Sequence, residues 1–148
     1  MFKRILVAVD GSDTAEQALL EAINLAKEQK AQLRIVHAVD IVNLNLATEF
    51  PNPAEISDAL TKSGREILRK AEVVARGAGV AVETRLIEID TLGHRIPEVI
   101  VADAEAWPAD LIVICTHGRS GLSRMFLGSV AEGVVRVATK PVLLIRGK

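Results

Sequence analysis

Hydrophobic positions along the chain switch between two periods. Ile5-Leu6-Val7-Ala8-Val9 is continuously apolar and stops at Asp10-Gly11-Ser12, which reads as a strand covered on both faces, as parallel sheets require. Ala15, Ala18, Leu19, Ala22, Ile23 and Ala26 then recur at helical spacing down to Lys30, with Asp13 and Glu16 read as the cap and the acidic first turn. A second strand, Leu33 to Val39, ends at Asp40. From Ile41 to Pro53 the pattern is irregular and holds two prolines, which predicts a long, mobile connection of the kind used as a lid. Ile56, Leu60, Ile67, Ala71 and Val74 mark one face of a second helix, stopped by Gly77-Ala78-Gly79.

Val80, Val82, Thr84 and Leu86 alternate with polar partners, the pattern of a half-exposed edge strand. A third helix is predicted over roughly Pro97 to Trp107, with the proline in its first turn and Trp107 packing at its end. Pro108-Ala109-Asp110 breaks it, and Leu111-Ile112-Val113-Ile114-Cys115 is a second fully apolar strand. A helix from Ser129 to about Ala138 and a last strand, Val142 to Ile145, complete a β-α-β-α-β-α-β-α-β order. Helix-sized crossovers predict an α/β fold in one domain over residues 1–148: a doubly wound, Rossmann-like five-stranded parallel sheet with helices on both faces. The strands ending at Val9 and Cys115 belong side by side in its middle. Ligands bind such sheets beyond the carboxyl ends of the strands, where the strand order reverses, which directs attention to Asp10 and the turn after Cys115.

Composition narrows the function. A chain of 148 residues buries roughly 70% of its unfolded surface without help from metals or disulfides. A single Cys excludes an internal bridge and points to a reducing, cytoplasmic setting. With 18 Lys+Arg against 19 Asp+Glu and 3% aromatic residues, neither a basic nucleic-acid platform nor a base-stacking surface is expected. No apolar run approaches the ~20 residues of a membrane span. The expectation is a soluble, intracellular domain with no nucleic-acid or membrane partner.

Residues 115–129 carry most of the candidate chemistry. Small residues let a backbone approach phosphate closely, and Gly128-Ser129 stands where a helix begins, so that free amides and the positive helix end converge on an anion. Arg119 and Arg124 could add charge. The same residues also read as a capping box, Ser129 with Glu132, and as turn glycines at Gly118 and Gly121. Asp10 reads either as a ligand at the sheet edge or as an Asx turn before Gly11-Ser12. His37 and His94 read as ordinary surface or satisfied polar residues, since no Cys/His spacing resembles a metal site. Cys115 reads as a packing residue at a buried strand end. Gly-Lys-Ser/Thr is absent, only one glycine follows the first strand, and no nucleophile stands with a base and an orienting acid, which argues against P-loop hydrolysis, nicotinamide binding and a dedicated catalytic site. A phospho-acceptor receiver is disfavoured because Asp10 lacks an adjacent acid and Lys140 precedes the last strand.

The run from Cys115 to Ser129 resembles the ATP-binding signature of the universal stress protein family, Gly-x2-Gly-x9-Gly-Ser/Thr, with nine residues between Gly118 and Gly128. The similarity extends through ILVAVDGS, VHAVD around His37, ADLIVICTHGRSG, LGSVAEGVV and KPVLLIR. Two positions depart from it: Cys115 replaces the first glycine, which narrows the approach to sugar or phosphate, and Ala8 stands where many members have proline. The resemblance implies ATP as the bound cofactor. It puts the backbone of Ala38 at the adenine edge, Val9 beside the base and Asp10 near the ribose or phosphates, the last through a magnesium ion. Cys115, His117, Gly118 and Arg119 would border ribose and phosphates, and Gly128, Ser129 and Val130 would hold the phosphate tail. It further implies a nucleotide-sensitive regulatory homodimer paired through Val142 to Ile145, with at most weak ATP hydrolysis or self-phosphorylation on Ser120, Ser123 or Ser129. The apolar last strand independently favours pairing with another chain. A nucleotide-free dimeric scaffold of the same fold is the alternative.

Overall fold

The computed structural model describes residues 1–42, 53–117 and 127–147. Five strands, β1 (Arg4–Ala8), β2 (Gln32–Asp40), β3 (Val82–Ile89), β4 (Leu111–Cys115) and β5 (Val142–Ile145), alternate with α1 (Asp13–Gln29), α2 (Pro53–Gly77), α3 (Ile96–Ala106) and α4 (Ser129–Val137). They form one parallel sheet in the order β3-β2-β1-β4-β5. The two most apolar strands pair at its centre, Ile5 opposite Leu111 and Val7 opposite Val113. Parallel pairing needs a helix between consecutive strands, and the helices divide evenly between the faces. Ala18, Ala22, Leu68, Ala71 and Ala75 of α1 and α2 cover Ile5, Val7, Leu33 and Ile35, while Ile100, Ala104 and Val134 of α3 and α4 cover Leu6, Val36 and Ile112. Period-two alternation along β1 and β2 thus feeds two separate cores.

Local signals differ from the sequence reading at two helix starts. The cap of α1 is Ser12, not Asp13: its hydroxyl accepts from the Ala15 amide at 3.2 Å. Ser is as good an N-cap as Asp, and the earlier position won. Ser129 likewise does not open a capping box with Glu132. Gly128 occupies the cap position of α4, no side chain caps it, and Glu132 pairs instead with Arg136 at 2.9 Å. The strand from Val82 is an edge strand, alternating between exposed and half-buried residues as expected, and β5 forms the other edge. Of the expected connection from Ile41 to Pro53, residues 43–52 lie outside the described residues, and Pro53 already belongs to α2. Among the described residues, no helix is long and apolar enough to cross a membrane.

A charge cluster not foreseen from the sequence fixes α3 to the sheet. The buried carboxylate of Asp103 accepts from Arg34 Nη1 at 3.1 and 3.0 Å and lies 3.0 Å from Arg85 Nε. The Arg34 guanidinium stacks over Trp107 at 5.2 Å, and its Nε lies 3.5 Å from Glu83. Sequence spacing gives no hint of this cluster, because its members come from β2, β3 and α3. Removing one partner leaves a desolvated charge behind, so Asp103→Ala should destabilise the fold by about 3–5 kcal/mol, read from urea denaturation. Glu66→Gln, which breaks the exposed Arg69–Glu66 pair, should leave the midpoint unchanged.

Candidate functional site

The carboxyl ends of β1, β2 and β4 diverge where the strand order reverses, and a cavity of about 340 Å³ opens there. Its size falls within the roughly 300–1,000 Å³ of small-molecule sites. Ala8, Val9 and Asp10 form its floor with Ala38, Ile114, Cys115 and Thr116; Ile96 and Ile100 of α3 form one wall; Gly128, Ser129, Val130 and Ala131 form another. Of the ten candidate residues read from the sequence, Val9, Asp10, Ala38, Cys115, Gly128, Ser129 and Val130 line this cavity, His117 is not among its lining residues, and Gly118 and Arg119 fall outside the described residues. Ile96, Ile100 and Ile114 also line it and were not foreseen: Ile100 and Ile114 read only as members of a helix and a buried strand, and Ile96 preceded the predicted helix.

The chain leaves β1 through a tight turn. Gly11 adopts φ 86°, a left-handed conformation that favours glycine. The Ser12 amide donates to Asp10 Oδ1 at 2.9 Å, so Asp10 does form the Asx turn, with only one of its two oxygens. Asp10 still lines the cavity. It is the only carboxylate among the described lining residues, and no metal-ligating cluster of three occurs among the described residues.

The strand edge beside this turn is open. Val9 N donates to Val36 O at 2.9 Å, while Leu33 N on the other side of β2 donates to Ala81 O. Backbone groups alternate in direction along a strand, so even-numbered residues of β2 address β1 and odd-numbered ones address β3. Pairing with β1 ends at Val36. The amide and carbonyl of Ala38 therefore point past the end of β1 into the cavity, with no backbone partner among the described residues. Across the cavity, α4 starts with Ser129, Val130 and Ala131, whose amides have no acceptor among the described residues, whereas Gly128 N is engaged by Thr116 O at 2.6 Å. The site thus presents a donor and acceptor pair at one end, an electropositive helix start at the other, and apolar walls between.

Comparison with known proteins identifies the family and matches the fold. The model of the universal stress protein family matches residues 1–146. The chain belongs to that family. A universal stress protein of Methanocaldococcus jannaschii is 39% identical over 99% of this chain and 83% of its own length. The structure of the universal stress protein UspA from Lactobacillus plantarum aligns with a TM-score of 0.82 at 27% identity, covering 97% of both chains. Two further universal stress protein structures were determined as complexes. One, from Archaeoglobus fulgidus, contains dAMP and aligns at TM-score 0.68 and 28% identity over 97% of both chains; the other contains cAMP and aligns at TM-score 0.68 and 28% identity over 98% of this chain and 97% of that one.

The universal stress protein signature can now be placed residue by residue. Cys115 extends the core beneath α1, with Val113 and Val9, whereas Ile114 faces the core beneath α3 and α4. Strand alternation thus sends the thiol away from the α3 and α4 side on which the cavity opens. His117 lies just after β4, its carbonyl accepting from Thr14 Oγ1 at 2.6 Å and its Nδ1 3.0 Å from Thr116 Oγ1. Gly118 and Arg119 fall outside the described residues, and so do Gly121 and Arg124. His94 is exposed.

Burial raises the Cys115 thiol above its ordinary pKa, and the nearby Asp10 charge pushes the same way, against a hydrogen bond with Thr14. The native thiol therefore stays protonated where an unfolded one, near 8.5, ionises. Its contribution to stability is present below that value and is lost as the pH rises through the native pKa. At pH 8 iodoacetamide should label Cys115 far more slowly in the native protein than in urea, as followed by mass spectrometry; equal rates would show the thiol to be accessible.

Proposed function

We propose that this universal stress protein binds an adenine nucleotide, ATP in particular, and acts as a nucleotide-sensitive regulatory homodimer of the cytoplasm. One observation carries the reading: a single cavity joins the unpaired Ala38 edge to the open first turn of α4. A peptide N–H and C=O complement the N1 acceptor and the exocyclic amine of adenine, whereas guanine would set donor against donor and acceptor against acceptor. The chain at Val9 borders the base, with its side chain turned to the α1 and α2 core, and the isoleucines of α3 and β4 close over it. The phosphate tail lies at Gly128, Ser129 and Val130, where helix amides and dipole favour anions. His117, Gly118 and Arg119 border the ribose and phosphates, as the signature implies.

Asp10 fits a magnesium ion carried by the nucleotide. Magnesium is usually held by one or two carboxylates together with phosphate oxygens, and Asp10 offers one oxygen not used by its turn. The bound ion would neutralise phosphate charge beside that carboxylate. Nucleotides determined in related structures, cAMP and dAMP, support the adenine half of this reading. The triphosphate half rests on the α4 start.

The dimer is proposed through β5, an edge strand whose Leu143 is exposed. Such an edge invites pairing with a second copy.

Thermal unfolding with ATP at ~100 times its dissociation constant should show about 2.7 kcal/mol of added stability. Gly128 has φ −62° and ψ 157°, a conformation any residue adopts, so Gly128→Val should fold normally while its branched side chain crowds the phosphate position. Calorimetry should show ATP affinity reduced by at least about tenfold, the value of one lost hydrogen bond. Unchanged affinity, or no binding by the parent protein, would sink the assignment. Separately, Leu143→Asp should shift the protein from dimer to monomer in sedimentation equilibrium; a monomeric parent would refute the proposed pairing.

A further inference from the structure

The open edge at Ala38 adjoins a side-chain contact made from the opposite face of the sheet. In a regular parallel ladder the bond after Val9 N–Val36 O would run from Ala38 N to Val9 O. That bond is not formed; the Val9 carbonyl instead meets the imidazole of His37, whose Nδ1 lies 2.7 Å from it. A carbonyl oxygen can only accept, so Nδ1 carries the proton and donates. The imidazole thereby substitutes for the backbone amide of the next residue.

Room for the ring comes from α2. A Cβ on Gly64 would stand 2.8 Å from His37 Cδ2 and 2.8 Å from Leu86 Cδ1, closer than atoms pack. The glycine lets helix and ring approach closely, and the ring is pressed toward the end of β1. His37 points away from the cavity, as an odd-numbered residue of β2 whose ring packs under α2, and so does not line the site.

We propose that His37 is a positioning residue for nucleobase recognition: by capping the Val9 carbonyl it stops the β1–β2 ladder one bond early and keeps the Ala38 amide free for a ligand acceptor such as adenine N1. The proposal rests on the adenine-nucleotide reading above. A purely structural histidine would support stability without governing the state of one particular amide.

Removing the imidazole should let the ladder close. In His37→Leu the Val9 carbonyl loses its donor, and the nearest replacement is the Ala38 amide, since a buried carbonyl left unpaired is costly. His37→Asn keeps an N–H one bond from Cγ, where Nδ1 stood, and should preserve the open edge. The test is amide hydrogen exchange by NMR on ligand-free full chain, comparing Ala38 with Val36, which also addresses β1 but pairs with it.

In the parent protein Ala38 should exchange much faster than Val36. His37→Leu should slow Ala38 by about tenfold or more, and His37→Asn should leave it fast; ATP affinity measured by calorimetry should fall by about tenfold in His37→Leu and recover in His37→Asn. An Ala38 amide already protected in the ligand-free parent, an exchange rate indifferent to His37→Leu, or ATP affinity unchanged in that variant overturns the proposal. Failure of the parent to bind ATP instead overturns the nucleotide reading. The two failures are told apart because the exchange rates are measured without ligand.

Discussion

Everything at the candidate site follows from the pairing of β1 with β4 in the middle of the sheet. Chain segments leaving these two strands lead to helices on opposite faces, β1 to α1 and β4 to α4, and the cavity lies at the cleft between their ends. Pairing requires both strands to be apolar on both faces, and all five residues of β4 and four of the five in β1 are buried. The same burial makes polar chemistry scarce along the strands. It leaves the functional groups to the first residues after each strand and to the backbone itself.

The walls of the cleft depend on a second, costlier interaction. Helix α3 supplies Ile96 and Ile100 to the cavity, and Asp103, on the same helix, is tied to Arg34 of β2 and Arg85 of β3. Hydrophobic contact alone would let a short helix slide over the sheet. A carboxylate that must meet two guanidiniums from neighbouring strands restricts its position. The Trp107 ring beneath the Arg34 guanidinium offsets part of the desolvation cost. Polar atoms buried away from the site thus set the register of its apolar wall.

Much of this was legible in the sequence, and what was not shares one physical property. Strand positions, the central place of the segments ending at Val9 and Cys115, the exposed edge at Val82 and the cavity residues Asp10, Ala38, Gly128 and Ser129 all depend on local patterns or on the family signature. The Arg34–Asp103–Arg85 cluster and the Val9–His37 bond join residues far apart in sequence, where composition and period carry no information. The helix caps failed for a different reason. Ser12 and Asp13 are both good caps, as are Gly128 and Ser129, and the choice between neighbours is made by the turn that precedes the helix, here at Gly11 with φ 86°. Period identifies an element more securely than it identifies its first residue.

The departure at Cys115 shows how far strand geometry can decouple a residue from a motif. A side chain in place of glycine threatens a close approach only if it projects toward the ligand. Cys115 sits one residue after Ile114, which faces the α3 and α4 core, so alternation directs the thiol into the core with Val9 and Val113. Burial of the sulfur then raises its pKa and keeps it neutral beside Asp10. A neutral thiol adds no charge that would repel phosphate, whereas an exposed thiolate would. On this geometry the substitution contributes packing beneath α1 and directs no side chain toward the α3 and α4 side on which the cavity opens.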